Sequence, residues 1–121
     1  MVATFDAATL EELRGTQEVR IGVGDRPDRG VVIWIVVLAD EVFIRSYQGP
    51  KARWYRSAIA EGHATLEVDH RLIPARAVPV TDAATIAAVS DAYLAKYAGS
   101  PYAKAMVQAE VLPTTLRLEP A

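Results

Sequence analysis

The chain has 121 residues, of which 51% are hydrophobic and 23% are charged, and its formal net charge at pH 7 is −2. This size and composition are typical of one globular domain, here 1–121, and exclude a disordered chain. The lack of cysteine excludes disulfides and thiolate chemistry, and two histidines do not favour an all-histidine metal site. The negative charge and a longest apolar run of nine residues predict neither nucleic-acid binding nor a membrane span, so the cytoplasm is the expected location.

The chain is predicted to open with a short helix followed by a strand. Asp6 is the expected N-cap of the helix, and Phe5 and Leu10 have the spacing of a hydrophobic staple. Residues 18–23 alternate between apolar and polar and predict the first strand. The sequence GDRPDRG at 24–30 predicts a turn, because it contains two glycines and a proline.

Four further extended segments follow in two pairs. Residues 31–38 (VVIWIVVL) are apolar without alternation, which is typical of a strand covered on both faces, here by the core and by a helix, a ligand or a second subunit. Residues 42–47 (VFIRSY) return after a tight turn and complete a β-hairpin. The second pair covers 64–69 and 71–80, and two prolines confine the latter segment to an edge or a bulge.

Two more helices and a last strand complete the pattern. KARWYRSAIAEG predicts a helix, and Thr81 or Asp82 caps a longer one whose apolar stripe consists of Ile86, Val89, Tyr93 and Tyr97. The sequence TTLRLE predicts the last strand. Six strands joined largely by short turns favour an α+β fold with an antiparallel sheet and three to four helices. In so small a chain, six strands favour a closed or nearly closed barrel.

Positive charge is concentrated in residues 42–60, which contain no acid and four cations, namely Arg45, Lys51, Arg53 and Arg56. Lys51 and Arg53 fall in the first turn of a predicted helix, where the helix dipole disfavours cations unless an anion binds there. Ser46 adds a hydroxyl donor, and Gly49 allows close approach of the backbone to a ligand. SYQGPKAR is therefore predicted to bind a phosphate or carboxylate, and a solvated basic helix end is the alternative.

Both tryptophans of the chain flank this basic segment. Trp34 lies in the hairpin and Trp54 lies near the start of the following helix. Together they would suit a flat ring system, and ordinary core packing is the alternative for each. No Ser/His/Asp spacing, HExxH motif, Walker loop or GxGxxG is present, so no catalytic residue is assigned.

The stretch IWIVVLADEVFIRSYQGPKARWYRSAIAEGHATLEV resembles the core of the FMN-binding split barrels typified by pyridoxamine-phosphate oxidase, and the likeness covers residues 17–80. It is closest to two branches. One is a group of small bacterial proteins of unassigned function with the pattern IW…V…RS…GP…RWYR, and the other is the deazaflavin-dependent nitroreductases. The GDRPDRG loop lacks the Gly-x-x-Ser/Thr-Gly spacing common in the nitroreductases, which leaves both FMN and a deazaflavin open.

The resemblance implies a split barrel with two sets of cofactor-binding residues. The residues implied for the cofactor phosphate are Ser46, Lys51 and Arg53, with Arg45 or Arg56 as helpers. The residues implied to lie along the ring system, through their backbone, are Ile33, Trp34 and Ile35. The resemblance also implies a homodimer with the cofactor at the subunit interface, which would account for the apolar character of both faces of 31–38.

Three functions are open at this point. The first is a dimeric oxidoreductase that uses FMN or a deazaflavin to transfer hydride to an unknown small molecule, where the cofactor performs the chemistry and the protein positions it. The second is a non-catalytic cofactor-binding or sensing module on the same fold, which holds a flavin, a deazaflavin or haem. The third is a structural dimer without a ligand.

Overall fold

The computed structural model describes residues 3–24 and 30–121, so most of the turn predicted at 24–30 lies outside the described residues. The described part contains three α-helices, which are α1 (Ala7–Gly15), α2 (Arg53–Glu61) and α3 (Ala83–Lys96). Its strands are β1 (Glu18–Gly22), β2 (Val31–Leu38), β3 (Glu41–Ile44), β4 (His63–Val68), β5 (Arg71–Pro79) and β6 (Leu116–Pro120). Short 3-10 helices occupy Gly49–Lys51, Ala103–Val107 and Leu112–Thr114.

The six strands form a closed antiparallel barrel in the order β1-β2-β3-β6-β5-β4. This arrangement confirms the predicted α+β fold and the antiparallel barrel. Closure provides partners for edges that an open sheet would expose. Alternate side chains fill the interior, where Ile21, Ile35 and Leu66 are almost fully buried. None of the described helices combines the length and the apolar character that a membrane span requires.

Both faces of β2 are covered, as its continuous apolar sequence predicts. Ile33 and Ile35 belong to the cluster inside the barrel. Trp34 and Val36 point outward and pack in a second cluster with Tyr93 of α3. Helix α3 therefore covers the outer face of β2 around Trp34 and Val36.

Side-chain caps fix the starts of α1 and α3. The Asp6 carboxylate accepts a hydrogen bond from Thr9 N at 3.0 Å, and the Asp82 carboxylate accepts one from Thr85 N at 2.9 Å. These bonds satisfy N–H groups that a helix start leaves free. Hydrogen bonding to Thr9 and to Thr85 also lowers the pKa of each carboxyl below its ordinary value. The structure confirms Asp6 and selects Asp82 over Thr81.

Each proline of β5 lies at a position where only one of the two neighbouring strands pairs with β5. Residues 71–76 pair with β4, and residues 75–79 pair with β6. The Pro74 carbonyl accepts from Ala121 N at 3.4 Å, so the Pro74 nitrogen also points to the β6 side, just beyond the β6 ladder. Pro79 lies beyond the β4 ladder. β5 has no free edge, because the barrel is closed, so the predicted edge strand is wrong. Each proline nevertheless lies where its nitrogen faces a side without a paired strand, as at an edge.

Side chains from the end of α3 continue the contact between β1 and β2 beyond their ladder. The Tyr97 hydroxyl donates to Gln17 O at 2.6 Å and accepts from Ile35 N at 3.1 Å. Lys96 Nζ donates to Ile35 O at 2.7 Å. These contacts satisfy buried backbone groups that lie one residue past the last strand pair. Burial lowers the pKa of Lys96 to about 8 and raises that of Tyr97 to about 12.

Replacing Tyr97 with phenylalanine should lower the free energy of unfolding by about 1–3 kcal/mol, because the buried Ile35 N–H loses its acceptor. Urea denaturation followed by circular dichroism measures the change. Thr81→Val is the control, since it also removes a hydroxyl, Thr81 is exposed, and its change should stay within about 0.5 kcal/mol. Equal stability of the two variants would show that the Tyr97 hydroxyl does not bridge the two strands.

Candidate functional site

A cleft opens in the barrel wall where β2 and β3 separate. β3 pairs with residues 35–38 of β2, whereas residues 31–34 pair with β1. Beyond Ile44 the chain leaves the ladder, so β3 ends three residues before the predicted boundary at Tyr47. The diverging segments, the start of α2 and the loop that carries Tyr102 enclose a cavity of about 580 Å³.

One wall of this cavity is an unpaired edge of β2. Backbone polar groups point alternately to the two sides of a strand, and those of Ile35 face β1 through Tyr97. The backbone groups of Val32 and Trp34 therefore face the opposite side, where β3 has already diverged. The Tyr93 hydroxyl donates to Trp34 O at 3.1 Å. The N–H of Trp34 and both polar groups of Val32 have no strand partner on that side among the described residues.

This geometry corrects the residues expected to lie along a ring system. Trp34 borders the cavity, as predicted, and its backbone faces the cleft. Ile33 borders the cavity, but its side chain is buried and its backbone groups face β1. Ile35 is fully buried, and its backbone groups bind α3 side chains. The expected strand borders the cavity, and the structure adds Val32 to its walls. The sequence did not indicate Val32, because the direction of a backbone group depends on register and leaves no pattern in the side chains.

Both tryptophans border the cavity and also pack against tyrosines. Trp34 stacks on Tyr97, with ring centroids 4.0 Å apart and an interplanar angle of 1°. Trp54 contacts Tyr55 edge-on at a centroid distance of 6.1 Å. Each indole is partly buried. Both side chains thus pack against one neighbour, as the alternative of core packing predicts, and both also border the cavity.

The start of α2 forms the basic wall of the cavity. Arg53 is the first residue of the helix and borders the cavity, and Ala52 at the N-cap provides no side-chain cap. The first N–H groups of α2 are therefore available to an anion. Lys51 lies in the preceding 3-10 helix, not in the first turn of α2 as predicted, and it is exposed and away from the cavity walls. Arg56 is exposed and also lies away from them.

Arg45 is a fully buried cation beside the cavity. Its guanidinium donates four hydrogen bonds of 2.8–2.9 Å, to Thr115 Oγ1, Ser90 Oγ, Met106 O and Ile86 O. All four acceptors are neutral, and none of the ion pairs within 3–24 and 30–121 includes Arg45. Burial lowers the pKa of Arg45 below its ordinary value. An arginine nevertheless stays charged at neutral pH, so the field of Arg45 reaches the cavity.

Two expected contacts to a phosphate are corrected by this arrangement. Arg45 has no exposed surface, so it acts on the cavity through its field and not by direct contact. Ser46 is fully buried, and its hydroxyl donates to Gly49 O at 2.6 Å. Gly49 adopts φ 75°, a conformation that favours glycine, and is itself buried. Ser46 and Gly49 therefore stabilise the turn before α2 instead of contacting a cavity ligand.

The structure adds residues to the cavity that the sequence did not identify. Glu18 enters from β1, Tyr47 and Gln48 follow β3, and Tyr102 and Met106 come from the loop before β6. Their local sequences carry no signal for a shared site, because they meet only through the barrel topology. Neither histidine borders the cavity.

The fold and the cleft define a small α+β barrel protein with a ligand-sized cavity in its wall. Residues 9–118 match the family described as uncharacterized protein conserved in bacteria (DUF2255), and the chain belongs to this family. The structure is similar to that of the conserved hypothetical protein Rv2991 from Mycobacterium tuberculosis, with a TM-score of 0.62, 12% sequence identity and coverage of 97% of this chain and 79% of that one. This likeness concerns the fold alone. No curated protein matches the chain.

Replacing Arg45 with methionine should lower the free energy of unfolding by about 3–5 kcal/mol, because the four hydrogen bonds of a buried guanidinium are lost at once. Urea denaturation measures the loss. Arg56→Met is the matched control, since Arg56 is exposed, and a change within about 0.5 kcal/mol is expected for it. A loss below about 1 kcal/mol in Arg45→Met would contradict the role of Arg45 as the link between these segments.

Proposed function

We propose that the chain binds FMN or a deazaflavin coenzyme in the cleft beside β2 and acts as an oxidoreductase on a small molecule. The observation that carries this proposal is the coincidence, in one cavity, of two tryptophans, an unpaired strand edge and the Arg53 guanidinium, with the buried charge of Arg45 behind them. Aromatic surface suits a flat ring system, backbone N–H and C=O groups suit its polar edge, and cationic groups suit a phosphate.

The size of the cavity is compatible with such a coenzyme. Sites for cofactors and drug-sized ligands typically measure about 300–1,000 Å³ and combine apolar walls with a few polar groups. The volume here is about 580 Å³, and the walls combine valine, isoleucine and aromatic side chains with Arg53 and Glu18. The residues present therefore fit the group that the sequence resemblance implies.

The phosphate is assigned to the start of α2. Arg53 and the first N–H groups of the helix would bind it, because both present positive charge at the same wall. The buried charge of Arg45 would add attraction without contact. Lys51 is close in sequence and exposed, so it can contribute only from the outside of the cleft.

The ring system is assigned to the edge of β2. The N–H of Trp34 and the backbone groups of Val32 would hold its polar edge, while the two indoles would limit access of water. When bound, a flavin or deazaflavin supplies hydride transfer, and the protein contributes position, polarity and exclusion of water. No side chain is required as an acid or base for this role.

A non-catalytic binding or sensing module is the second candidate. The described walls of the cavity supply groups that bind a coenzyme, with one carboxylate, Glu18, and no histidine, so binding without turnover needs no further feature of the site. The absorbance spectrum of protein purified from its native host distinguishes flavin, deazaflavin and haem. Chemical reduction followed by reoxidation with candidate acceptors then distinguishes an enzyme from a carrier.

A homodimer is the proposed assembly. Val31, Val32, Tyr47 and Tyr102 border the cavity, and each is at least 44% exposed. Large apolar side chains grouped around one opening are typical of a surface that a partner covers. A second copy would bury them together with the coenzyme.

The molar mass of the protein in solution, measured by light scattering, should be twice that of the chain. Tyr102→Asp should reduce this mass toward that of the monomer, because it places a charge at the proposed interface. Leu94→Asp is the control, since Leu94 is equally an exposed apolar residue but lies on α3 away from the cavity. A monomeric wild type, or equal effects of the two variants, would remove the dimer from the proposal.

Replacing Arg53 with alanine should weaken FMN binding by about 1.5–3 kcal/mol, because a hydrogen bond to a charged group is lost. Isothermal titration of the purified chain with FMN measures the change. Arg56→Ala removes a cation three residues further along α2, away from the cavity, and should change affinity by less than about 0.5 kcal/mol. Equal losses of FMN affinity in both variants would show that the effect comes from general surface charge. Unchanged affinity in Arg53→Ala would exclude the proposed phosphate site.

A further inference from the structure

Glu18 gives the cavity an acidic side that the proposed coenzyme does not use. It is the first residue of β1 and lies directly across from Trp34 in the β1–β2 ladder. Cross-strand partners project from the same face of a sheet, so the carboxylate and the indole share one face. Glu18 is exposed and borders the cavity.

The charge of Glu18 is not neutralised within the described chain. None of the ion pairs formed by residues 3–24 and 30–121 includes its carboxylate. Its field reaches Tyr97, whose pKa is raised mainly by burial and further by Glu18. Because Tyr97 stacks on Trp34 at 4.0 Å, the negative charge lies beside this aromatic pair.

The two sides of the cavity therefore carry opposite charges. The helix side has Arg53 and, behind it, the buried Arg45, whereas the strand side has Glu18. The aromatic lining includes both tryptophans and two of the five tyrosines of the chain. Aromatic faces attract cations, and the attraction is strongest for tryptophan. A carboxylate next to an indole thus favours a positively charged group on the strand side and disfavours a second anion there.

We propose that Glu18 is a specificity-determining residue and that the small molecule taken up beside the coenzyme carries a protonated amine or a quaternary ammonium group. This inference rests on the proposed function for the presence of the coenzyme, but the amine-binding groups belong to the chain itself. The positive group binds next to Glu18 and Trp34, and the rest of the molecule lies along the aromatic lining. The cation of the substrate and the phosphate of the coenzyme thereby occupy opposite sides of one cavity.

The test compares two probes of nearly equal size and shape, benzylamine and benzyl alcohol, of which only the amine is charged at pH 7. Isothermal titration of the full chain, with and without saturating FMN, should show at least five-fold tighter binding of benzylamine at low salt. Glu18→Gln should remove this preference by weakening amine binding, and it should not weaken FMN binding, because it removes a negative charge from the cavity. Added salt should reduce the preference in the wild type.

Glu67→Gln is the matched control, because Glu67 is a neighbouring strand carboxylate that pairs across from Arg20 and does not border this cavity. It should retain the preference for benzylamine. A wild type without the preference, a Glu18→Gln variant that keeps it, or a Glu67→Gln variant that also loses it would overturn the inference. If FMN does not bind but the Glu18-dependent preference is present, the proposed function fails and the amine site stands. If FMN binds and the preference is absent, the inference alone fails.

Discussion

The buried guanidinium of Arg45 is the interaction on which the cleft depends. Its hydrogen bonds join the end of β3 to α3, to the segment around Met106 and to the start of β6. Each of these elements approaches the cavity from a different direction, and in the described chain Arg45 contacts them all. The cost of burying a charge is offset by this set of acceptors. None of the ion pairs among the described residues includes Arg45, so its charge makes the helix side of the cavity electropositive.

A second constraint is the division of each long strand between two partners. β2 pairs with β1 through its first half and with β3 through its second, and β5 divides in the same way between β4 and β6. A short barrel closes by such exchanges, because strands inclined to the barrel axis meet different neighbours along their length. At β5 the prolines occupy the unpaired positions, whereas at β2 the unpaired position becomes the wall of the cavity.

Local features of the sequence predicted the elements well. Asp6 and Asp82 were recognisable as caps because capping needs only a side chain and the next turn of helix. The continuous apolar run of β2 and the stripe on α3 predicted which surfaces meet. The start of α2 was misplaced, because Gly49 and Pro50 form a separate 3-10 turn that leaves Lys51 outside the helix. A local pattern does not distinguish that turn from a first helical turn.

The site was less predictable, because its contacts are long-range. Arg45 was expected to help bind a phosphate. Nothing near it in sequence indicates its partners Ser90 and Thr115, which lie 45 and 70 residues further along. Ser46 looked like a free donor, although its acceptor is only three residues away. Glu18 lies beside Trp34 only because of the register between β1 and β2, which its local sequence does not reveal. The basic segment borders the cavity through Arg45 and Arg53, and burial distinguishes these two side chains.

The unpaired edge at Val32 and Trp34 has a consequence for how such a protein diverges. Main-chain groups are common to every amino acid, so a ligand held by them imposes little demand on the identity of the side chains. Substitutions along this edge need only preserve the strand and its divergence from β3. Binding through main-chain groups therefore requires few conserved residues. Sequence comparison alone overlooks such a site even where the fold is retained.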